Sequence, residues 1–313
     1  MERDFIDWLN KNVPRHPRAE LGLTDDAALL SIAEPSKVVV TTDMLNDGVD
    51  FRVSVDDPRR IGRQALGANL SDLAAMAAKP VAAFISIALP RPGGTGPQPL
   101  ELAKGVYEGI LALAAEYDVA IAGGDTNSHD GPLVISVTAI GETTKCGPLT
   151  RSNGQVGDWL LVTGKLGGSL LGHMFGFTPR VREALFLNEH YKIHACIDIS
   201  DGLALDASRL AKASGVGAVI RTEQVPISPD AFTLSDQDGA ADRDTAALQH
   251  ALSDGQDFEL LLALDADVAR KIINDQPLEC GLTHVGELVA EHGLWQQGAT
   301  GQRLELPPIG YLH

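Results

Sequence analysis

The stretch CIDISDGLALD, from Cys196 to Asp206, combines a strand pattern, a helix pattern and a concentration of acid. Apolar and polar residues first alternate as in a strand, and the run after Gly202 has the apolar spacing of a helix. Asp198 and Asp201 lie three residues apart at this junction, with Ser200 between them. Carboxylates placed where a strand gives way to a helix either cap the helix or bind a cation. Other motifs along the chain are needed to distinguish these two interpretations.

Four more acidic clusters follow the same pattern, each with an aspartate in a predicted tight turn next to a strand or a helix end. Any one of them is explained by helix capping or by an aspartate that bonds its own backbone. Together they indicate a magnesium site, because Asp, Thr and Ser supply the oxygen ligands that Mg²⁺ prefers and glycine lets a backbone approach a ligand. The clusters are Asp25 and Asp26; Thr41, Thr42 and Asp43; Asn69, Ser71 and Asp72; and Gly123, Gly124 and Asp125.

The sequence lacks the usual phosphate-binding motifs. In VTGKLGG the pair Gly164 and Lys165 is followed by Leu166 instead of Ser or Thr, so this segment is not a P-loop. No G-x-G-x-x-G follows a predicted strand, and no protein-kinase or G-x-S-x-G signature occurs. A nucleotide bound by this chain would therefore have its phosphates held mainly through magnesium, which takes its other oxygens from water and phosphate.

Composition restricts the class of protein. The 313 residues are 44% hydrophobic and 21% charged, which is typical of a globular chain with a core, and the formal net charge is −17. Such an acidic surface argues against nucleic acid and anionic membrane as partners. Three cysteines without a C-x-x-C motif, and an N-terminus without signal-peptide features, predict a cytoplasmic protein. The apolar runs are strand-length and too short to span a membrane.

The order of strand and helix patterns predicts an α+β fold with two domains, residues 1–147 and 148–313. Strands are predicted at KVVVTTD, VAAFISIAL, VAIAGG and LVISVTAIG, with helices between them, although Gly62 and Gly67 weaken the helix IGRQALGANLSDLAAMAAK. The segment ETTKCGPLTRSNGQVGD is the predicted linker. The polar segment SPDAFTLSDQDGAADRDT is predicted to be an exposed excursion.

Seven segments, in order and spacing, resemble the motifs of the thiamine-monophosphate kinase family, a branch of the aminoimidazole ribonucleotide synthetase superfamily. The resemblance runs from about residue 20 to the C-terminus and implies a two-domain subunit whose N-terminal domains pair into a dimeric β-barrel. It also implies ATP-dependent phosphorylation of thiamine monophosphate to thiamine diphosphate. The segments are TDDAALL, TTDMLNDGVDF, ALGANLSDLAAMAAKP, GGDT, LTRSNGQVGD, IDISDGL and GQDFEL.

The resemblance implies a role for each matching position. Arg151, Asp43 and Asp125 would act in catalysis. The acceptor is a phosphate that is already ionised, so the reaction needs charge neutralisation and in-line orientation and no strong general base. Several magnesium ions would be shared by Asp26, Thr41, Thr42, Asp43, Asp72, Asp125 and Asp198, with another held by Asp201. ATP would contact Tyr107, Gly124, Arg151 and Ser200, and the acceptor would contact Asp50, Gln256 and Tyr311.

Three positions depart from the family pattern. Thr24 stands where the family has Gly, Asp50 where it has His, and Gln256 where it has Glu. The last two changes reverse hydrogen-bonding polarity, because an ionised Asp only accepts whereas a Gln amide can also donate. One hypothesis is that ATP and magnesium handling is retained while recognition of the acceptor is altered. The alternative is that both changes are tolerated and thiamine monophosphate is still bound.

Other functions remain open from the sequence. A kinase of the same scaffold could phosphorylate a different phosphorylated acceptor, and an ATP-dependent synthetase of the superfamily would share the magnesium aspartates. A non-catalytic nucleotide-binding protein would bind ATP without forming ADP. The presence of Asp43, Asp72, Asp125 and Arg151 argues against this last class.

Overall fold

The computed structural model describes residues 37–91, 99–298 and 300–311, together with the backbone of two short strands, Ala19–Leu21 and Ala28–Leu30. These parts form thirteen strands and seven α-helices, arranged around two sheets. The sequence positions Thr24, Asp25 and Asp26 lie outside the described residues. No helix of the described part is both long and apolar enough to cross a membrane.

The first sheet has six strands in the order β1-β2-β3-β6-β4-β5, in which all pairs are antiparallel except β4 with β5. Three of its strands, β3, β4 and β6, alternate between more and less buried residues because one face is covered by helices. The bounds are β1 Ala19–Leu21, β2 Ala28–Leu30, β3 Val38–Asn46, β4 Ala78–Pro90, β5 Ala120–His129 and β6 Val134–Thr143.

Two helices cover this sheet, α1 Pro58–Ala75 and α2 Pro99–Tyr117. They pack closely because each carries a glycine where the other's backbone approaches. A Cβ on Gly62 would lie 1.9 Å from the main-chain oxygen of Val106, and one on Gly109 would lie 1.9 Å from that of Arg59. Gly62, which weakens the helix pattern in the sequence, is therefore required for the packing of α1 against α2.

The second sheet has seven strands in the order β13-β12-β9-β11-β7-β10-β8. Strands β7, β8, β9 and β10 are buried almost throughout, as expected for strands covered on both faces. The strands are β7 Trp159–Thr163, β8 Ala195–Ile199, β9 Gly217–Arg221, β10 Glu259–Leu264, β11 Leu282–Val289, β12 Leu294–Gln297 and β13 Arg303–Glu305. The helices are α3 Val181–His190, α4 Leu203–Ala213, α5 Pro229–Gln237, α6 Arg243–Ser253 and α7 Ala266–Asp275.

Residues 144–158, between the two sheets, contain neither helix nor strand, in the segment predicted as the linker. The domain limits of 1–147 and 148–313 stay a prediction. Helix α1 belongs to the first sheet, yet it also packs against α3 and β8 of the second half. Helix α1 therefore packs against elements of both halves, as a wall shared between them.

Two predictions about local structure need correction. The segment 228–245 is exposed at most of its positions, as predicted, but it is not a loop excursion, because it forms α5 and the start of α6 and buries Ala231 and Ser235. Ser228 caps α5 through its side chain, which accepts from the N–H groups of Asp230 and Ala231. Four of the clustered aspartates do not lie in tight turns either, whereas Ser200 and Asp201 do lie in the bend between β8 and α4. Asp43, Asp72, Asp125 and Asp198 lie inside β3, α1, β5 and β8.

Candidate active site

Carboxylates from both halves meet where the C-terminal part of α1 faces the end of β8. The hydroxyl of Thr41 on β3 donates to Oδ2 of Asp72 on α1. One residue earlier on the helix, Ser71 Oγ donates to Oδ2 of Asp198 at 2.7 Å. Both bonds span long stretches of sequence, and together they join three elements. We call Asp43, Asp72, Asp198 and Asp201 the carboxylate cluster.

Asp72 is the most strongly perturbed member of the carboxylate cluster. Its burial raises its pKa well above the usual range of a carboxyl, and the negative charges of Asp43, Asp198 and Asp201 raise the pKa further. The hydrogen bond from Thr41 opposes this shift because it stabilises the carboxylate. Such crowding of buried and half-buried like charges is costly unless a cation offsets it, and it is typical of functional sites.

Arg151 lies close enough to the carboxylate cluster to affect it. Burial raises the pKa of Asp198, while the hydrogen bond from Ser71 and the positive charge of Arg151 oppose the rise. The main-chain oxygen of Arg151 accepts from Ser214 Oγ at 2.7 Å, which holds the backbone of the segment 150–154 in place. Arg151 is thus the cation at the cluster that comes from the segment between the two sheets.

A second set of contacts fixes Asp201. Arg209 Nη1 donates to carboxylates of Asp201 and Asp206, at 2.8 Å for Asp206, and the Asp201 N–H donates to Asp206 Oδ2 at 2.9 Å. Burial, and then the charge of Asp201, raise the pKa of Asp206 to about 7, while Arg209 opposes the rise. Asp206 and Arg209 were not predicted from the sequence as residues of the site. Their spacing of three residues on a predicted helix was the available signal.

The donor set fits magnesium by its chemistry. It consists of carboxylate and hydroxyl oxygens, the hard ligands that Mg²⁺ prefers, and no His or Cys is among the described residues with the largest effect on the pKa values of Asp72 and Asp198. Among the described residues no three His, Cys, Asp or Glu side chains converge on one point as in a dedicated metal cage. Magnesium binding through one or two carboxylates, with phosphates and water completing the shell, needs no such cage.

Two predicted ligands lie apart from the carboxylate cluster. Along β3, Thr41 is buried on the helix-covered face, whereas Thr42 is exposed on the opposite face and its hydroxyl donates to the carbonyl of Val137 at 3.1 Å. This follows from the two-residue period of a strand. Asp125 on β5 is exposed and pairs with Ser86 of β4. Strands β6 and β4 separate it from β3, a distance of about 14 Å at the usual strand spacing.

Gly124, the predicted ATP contact, lies in β5 beside β4. Its φ is +150°, and a Cβ there would lie 1.8 Å from the main-chain oxygen of Ile85. This close approach of two backbones requires glycine. Tyr107, on α2, is partly buried against the core of the first half, and burial raises its pKa. The contacts of these two residues with a nucleotide stay a prediction.

The two residues that depart from the family pattern lie close to each other. Asp50, 7% exposed, accepts from the N–H of Asn46 through Oδ2 at 2.7 Å, so it caps the turn after β3. Gln256 accepts through Oε1 from Gln64 Nε2 at 3.0 Å, and the same Gln64 nitrogen faces the main-chain oxygen of Asp50 at 3.5 Å. The sequence analysis missed Gln64, because nothing in a helix pattern distinguishes it from other polar positions.

Ser200 and Tyr311 lie beside this region. The Ser200 main-chain oxygen accepts from the N–H of Gln256 at 2.7 Å, which ties the loop before β10 to the end of β8. The N–H of Tyr311 donates to the Asp201 oxygen at 2.9 Å, and Tyr311 is 37% exposed. The structure therefore brings together the predicted residues of β3, α1, β8 and the C-terminal segment.

Comparisons with known proteins agree with this architecture. Residues 24–143 match the model of the AIR synthase related protein, N-terminal domain, and residues 155–294 match that of the C-terminal domain. A thiamine-monophosphate kinase of Rhodopirellula baltica is 40% identical, over 100% of this chain and 97% of that protein. The structure of AaThiL complexed with AMPPCP and TMP has a TM-score of 0.83 at 25% identity, covering 100% of this chain and 96% of that chain. The thiamine-monophosphate kinase of Stenotrophomonas maltophilia has a TM-score of 0.71 at 32% identity, covering 94% of each chain.

Two AIR synthase related domains with a carboxylate cluster at their junction define the class of protein. Within that class, the identity over the full length places the chain in one branch. The chain belongs to the thiamine-monophosphate kinase family.

Proposed function

We propose that this protein phosphorylates thiamine monophosphate to thiamine diphosphate, with ATP as the phosphoryl donor and several Mg²⁺ ions. The observation that carries the proposal is the carboxylate cluster, built from both halves around half-buried Asp72 and buried Asp198. The full-length likeness to a thiamine-monophosphate kinase, and to a structure complexed with AMPPCP and TMP, supports this substrate pair.

The residues act by positioning and by charge. Asp43, Asp72 and Asp198 would hold magnesium, which supplies charge neutralisation between two polyanions and orients the phosphates when bound. Thr41 and Ser71 hold the carboxylates of Asp72 and Asp198 in place through their hydroxyl groups. Because the attacking phosphate oxygen is already ionised, no side chain has to remove a proton.

Arg151 adds a positive charge that comes from the protein and not from a metal ion. From its place beside Asp198 it can reach the phosphate oxygens that gain negative charge during transfer, where a guanidinium is especially effective. By resemblance the proposed ligand set also includes Asp26 and Asp125. The side chain of Thr42, on the opposite face of the sheet, lies away from this set in the single subunit. Asp125 and Gly124 lie on an exposed edge strand, where a nucleotide or a second subunit has access to them.

The proposal includes a homodimer. Within the described residues, helices cover only one face of the first sheet. On the other face Met44, Val81 and Phe84 are 62%, 41% and 39% exposed. A sheet face with exposed large apolar residues and an uncovered edge strand favours pairing with a second copy. We also propose a cytoplasmic location, where the co-substrate ATP and free Mg²⁺ are available.

The test is product analysis with purified protein, Mg-ATP and thiamine monophosphate, following thiamine diphosphate by chromatography. We expect turnover that is abolished by EDTA and lowered at least about a hundredfold by Asp43→Asn, because loss of a charge-stabilising group in phosphoryl transfer costs several kcal/mol. Asp244→Asn is the matched control, since Asp244 is exposed in the first turn of α6 and away from the cluster.

The same assay distinguishes the alternatives. ATP consumption with other phosphorylated acceptors, but without formation of thiamine diphosphate, would favour a kinase with an altered acceptor. Binding of ATP without formation of ADP under any condition would favour a non-catalytic protein. Retention of full activity by Asp43→Asn would contradict the assigned cluster.

A further inference from the structure

Gln64 is a buried polar residue at the junction of the two halves. It has no role in the reaction proposed above. It is 1% exposed, and its Nε2 donates to Gln256 Oε1 at 3.0 Å across 192 residues of sequence. Its own Oε1 is buried and has no hydrogen-bond partner among the described residues. A buried acceptor without a partner is destabilising, so packing alone does not account for glutamine at this position.

The contacts of Gln64 determine how the amide of Gln256 is oriented. Gln64 Nε2 lies between Gln256 Oε1 and the main-chain oxygen of Asp50, which is fixed and can only accept. If the Gln64 amide were rotated, its oxygen would face this carbonyl and the two acceptors would repel each other. Gln64 must therefore present its NH₂ group, and Gln256 must turn its oxygen toward Gln64. The NH₂ group of Gln256 then points away from Gln64.

The backbone around Gln256 is strained in a way that is typical of functional sites. Gln256 has a φ of +54° and Phe258 a φ of +52°, values that residues other than glycine rarely adopt. The loop is held there because the N–H groups of Gln256 and Phe258 donate to the oxygens of Ser200 and Ile199, at 2.7 and 2.9 Å. Gln256 is thus fixed beside the segment that carries Asp198 and Asp201.

Helix α1 sets the distance between Gln256 and the carboxylate cluster. Gln64 and Ser71 are seven residues apart, so they lie on one face of the helix, about 10.5 Å apart along its axis. Ser71 bonds Asp198 of the cluster, whereas Gln64 bonds Gln256. A phosphate held at the cluster would therefore leave the organic part of its molecule in reach of Gln256.

We propose that Gln64 is a positioning residue that orients the Gln256 amide, so that its NH₂ group faces the organic part of thiamine monophosphate and contributes to the selection of this acceptor. The inference rests on the proposed function. The NH₂ group donates to a hydrogen-bond acceptor of the substrate, and the ring nitrogens of its pyrimidine have this chemistry. The two polar residues that differ from the family pattern, Asp50 and Gln256, are then linked by one side chain.

The first test is the variant Gln64→Met, which keeps the length of the side chain and removes the donor. We expect the KM for thiamine monophosphate to rise about five- to tenfold, the value of one good hydrogen bond. The kcat should stay within about threefold and the KM for ATP within about twofold, because the cluster is untouched. Calorimetric titration with thiamine monophosphate alone should show the same loss of affinity without any turnover.

The second test is a double-mutant cycle with Gln256→Met. If Gln64 acts through Gln256, the double variant should have a KM for thiamine monophosphate within about twofold of Gln256→Met alone. Independent effects that multiply, or an equal rise in the KM for ATP, would overturn the proposal. Gln64→Asn, which keeps a buried amide but shortens its reach, should show an intermediate rise and guards against misfolding of Gln64→Met.

Asn188→Leu is the control variant. Asn188 is also an amide that donates to a main-chain oxygen, that of Gly147 at 2.9 Å, but it lies on α3 outside the site. It should lower thermal stability, because it removes a hydrogen bond to the main chain, and leave both KM values unchanged. A wild-type protein that forms no thiamine diphosphate would contradict the proposed function, whereas an active wild type with an unchanged KM in Gln64→Met would contradict this inference alone.

Discussion

At the scale of single residues, the second half of the chain buries several carboxylates and stabilises only some of them with cations. Glu259 is paired with Arg180, whose guanidinium donates to it at 2.6 and 2.7 Å. Asp257 has no such partner. It is 2% exposed and accepts from the N–H of Gly167 at 2.8 Å, while its Oδ2 has no hydrogen-bond partner among the described residues. The protonated form of this side chain is therefore the one that the fold prefers.

This preference predicts how stability changes with pH. Burial, and then the charges of Asp254, Glu259 and Asp206, raise the pKa of Asp257 well above its ordinary value, and the bond from Gly167 opposes the rise. The native state thus holds a proton that the unfolded chain releases near pH 4, and its stabilising effect is lost as pH rises. Asp257→Asn should be close to wild type near pH 4.5 and more stable than wild type at pH 8, as measured by urea unfolding in EDTA.

Asp242→Asn gives the opposite sign and serves as the control. Hydrogen bonds from Thr245 lower the pKa of Asp242, which caps α6, so its contribution is present above pH 4 and lost on acidification. Equal pH profiles for the two variants would contradict the assignment of Asp257.

The residue types of the site could be predicted from the sequence, but their partners could not. Oxygen ligands beside glycine and serine are a local signal, and Asp72 and Asp198 do lie in one cluster. Gln64 and Gln256 are 192 residues apart, and only the fold shows that they meet. The face of the sheet on which Thr42 lies could not be predicted for the same reason. It depends on the strand register, which the motif alone does not contain.

At the scale of elements, helix α1 shows why local propensity alone is insufficient. Gly62 and Gly67 lower helix propensity, and the sequence analysis counted them as weaknesses. In the structure a Cβ on Gly62 would meet the backbone of Val106, and one on Gly67 would meet the ring of Phe177 at 2.7 Å. Strands with clear alternation, and the amphipathic α2, were predictable because their signal is periodic and local. The helices of the segment 228–253 were missed because their polar faces resemble a loop.

Gly62→Ala tests the close packing of α1 and α2. Propensity alone would stabilise the helix by about 1 kcal/mol, whereas forcing a methyl group 1.9 Å from a main-chain oxygen costs about 1–3 kcal/mol or more. We expect a net loss of stability, measured as a lower midpoint of urea unfolding. Gly176→Ala is the control, because nothing lies within 4 Å of a Cβ there. A Gly62→Ala protein more stable than wild type would contradict the packing of these two helices.

At the scale of the whole molecule, the first sheet has one covered and one open face. The open face carries Thr42 and Met44 on β3 and Phe84 on β4, with β6 between these two strands, and the edge strand β5 is exposed along nearly its whole length. The residue types on such a face depend on the surface that packs against it. Within the described residues, no part of the same chain packs against this face. The expectation of a dimer came from the resemblance to a family. The structure of one subunit shows a surface that suits pairing, but it does not contain the second copy.

Phe84→Glu tests this surface. If the open face pairs with a second copy, a charge at its centre should shift the protein from dimer to monomer in sedimentation experiments at micromolar concentration. Val55→Glu is the matched control, since Val55 is 73% exposed but lies in the turn before α1. A wild-type protein that sediments as a monomer, or a Phe84→Glu dimer as tight as wild type, would contradict the proposed assembly.

Helix α1, as the wall shared by the two halves, also limits how this family can recombine. Its face carries Ser71 and Gln64, and the other member of each pair, Asp198 and Gln256, is encoded in the second half. A chimaera that joins the first half of one relative to the second half of another would pair residues that were selected separately. We expect such exchanges to retain the fold and lose substrate selection, unless α1 is transferred together with the loop before β10.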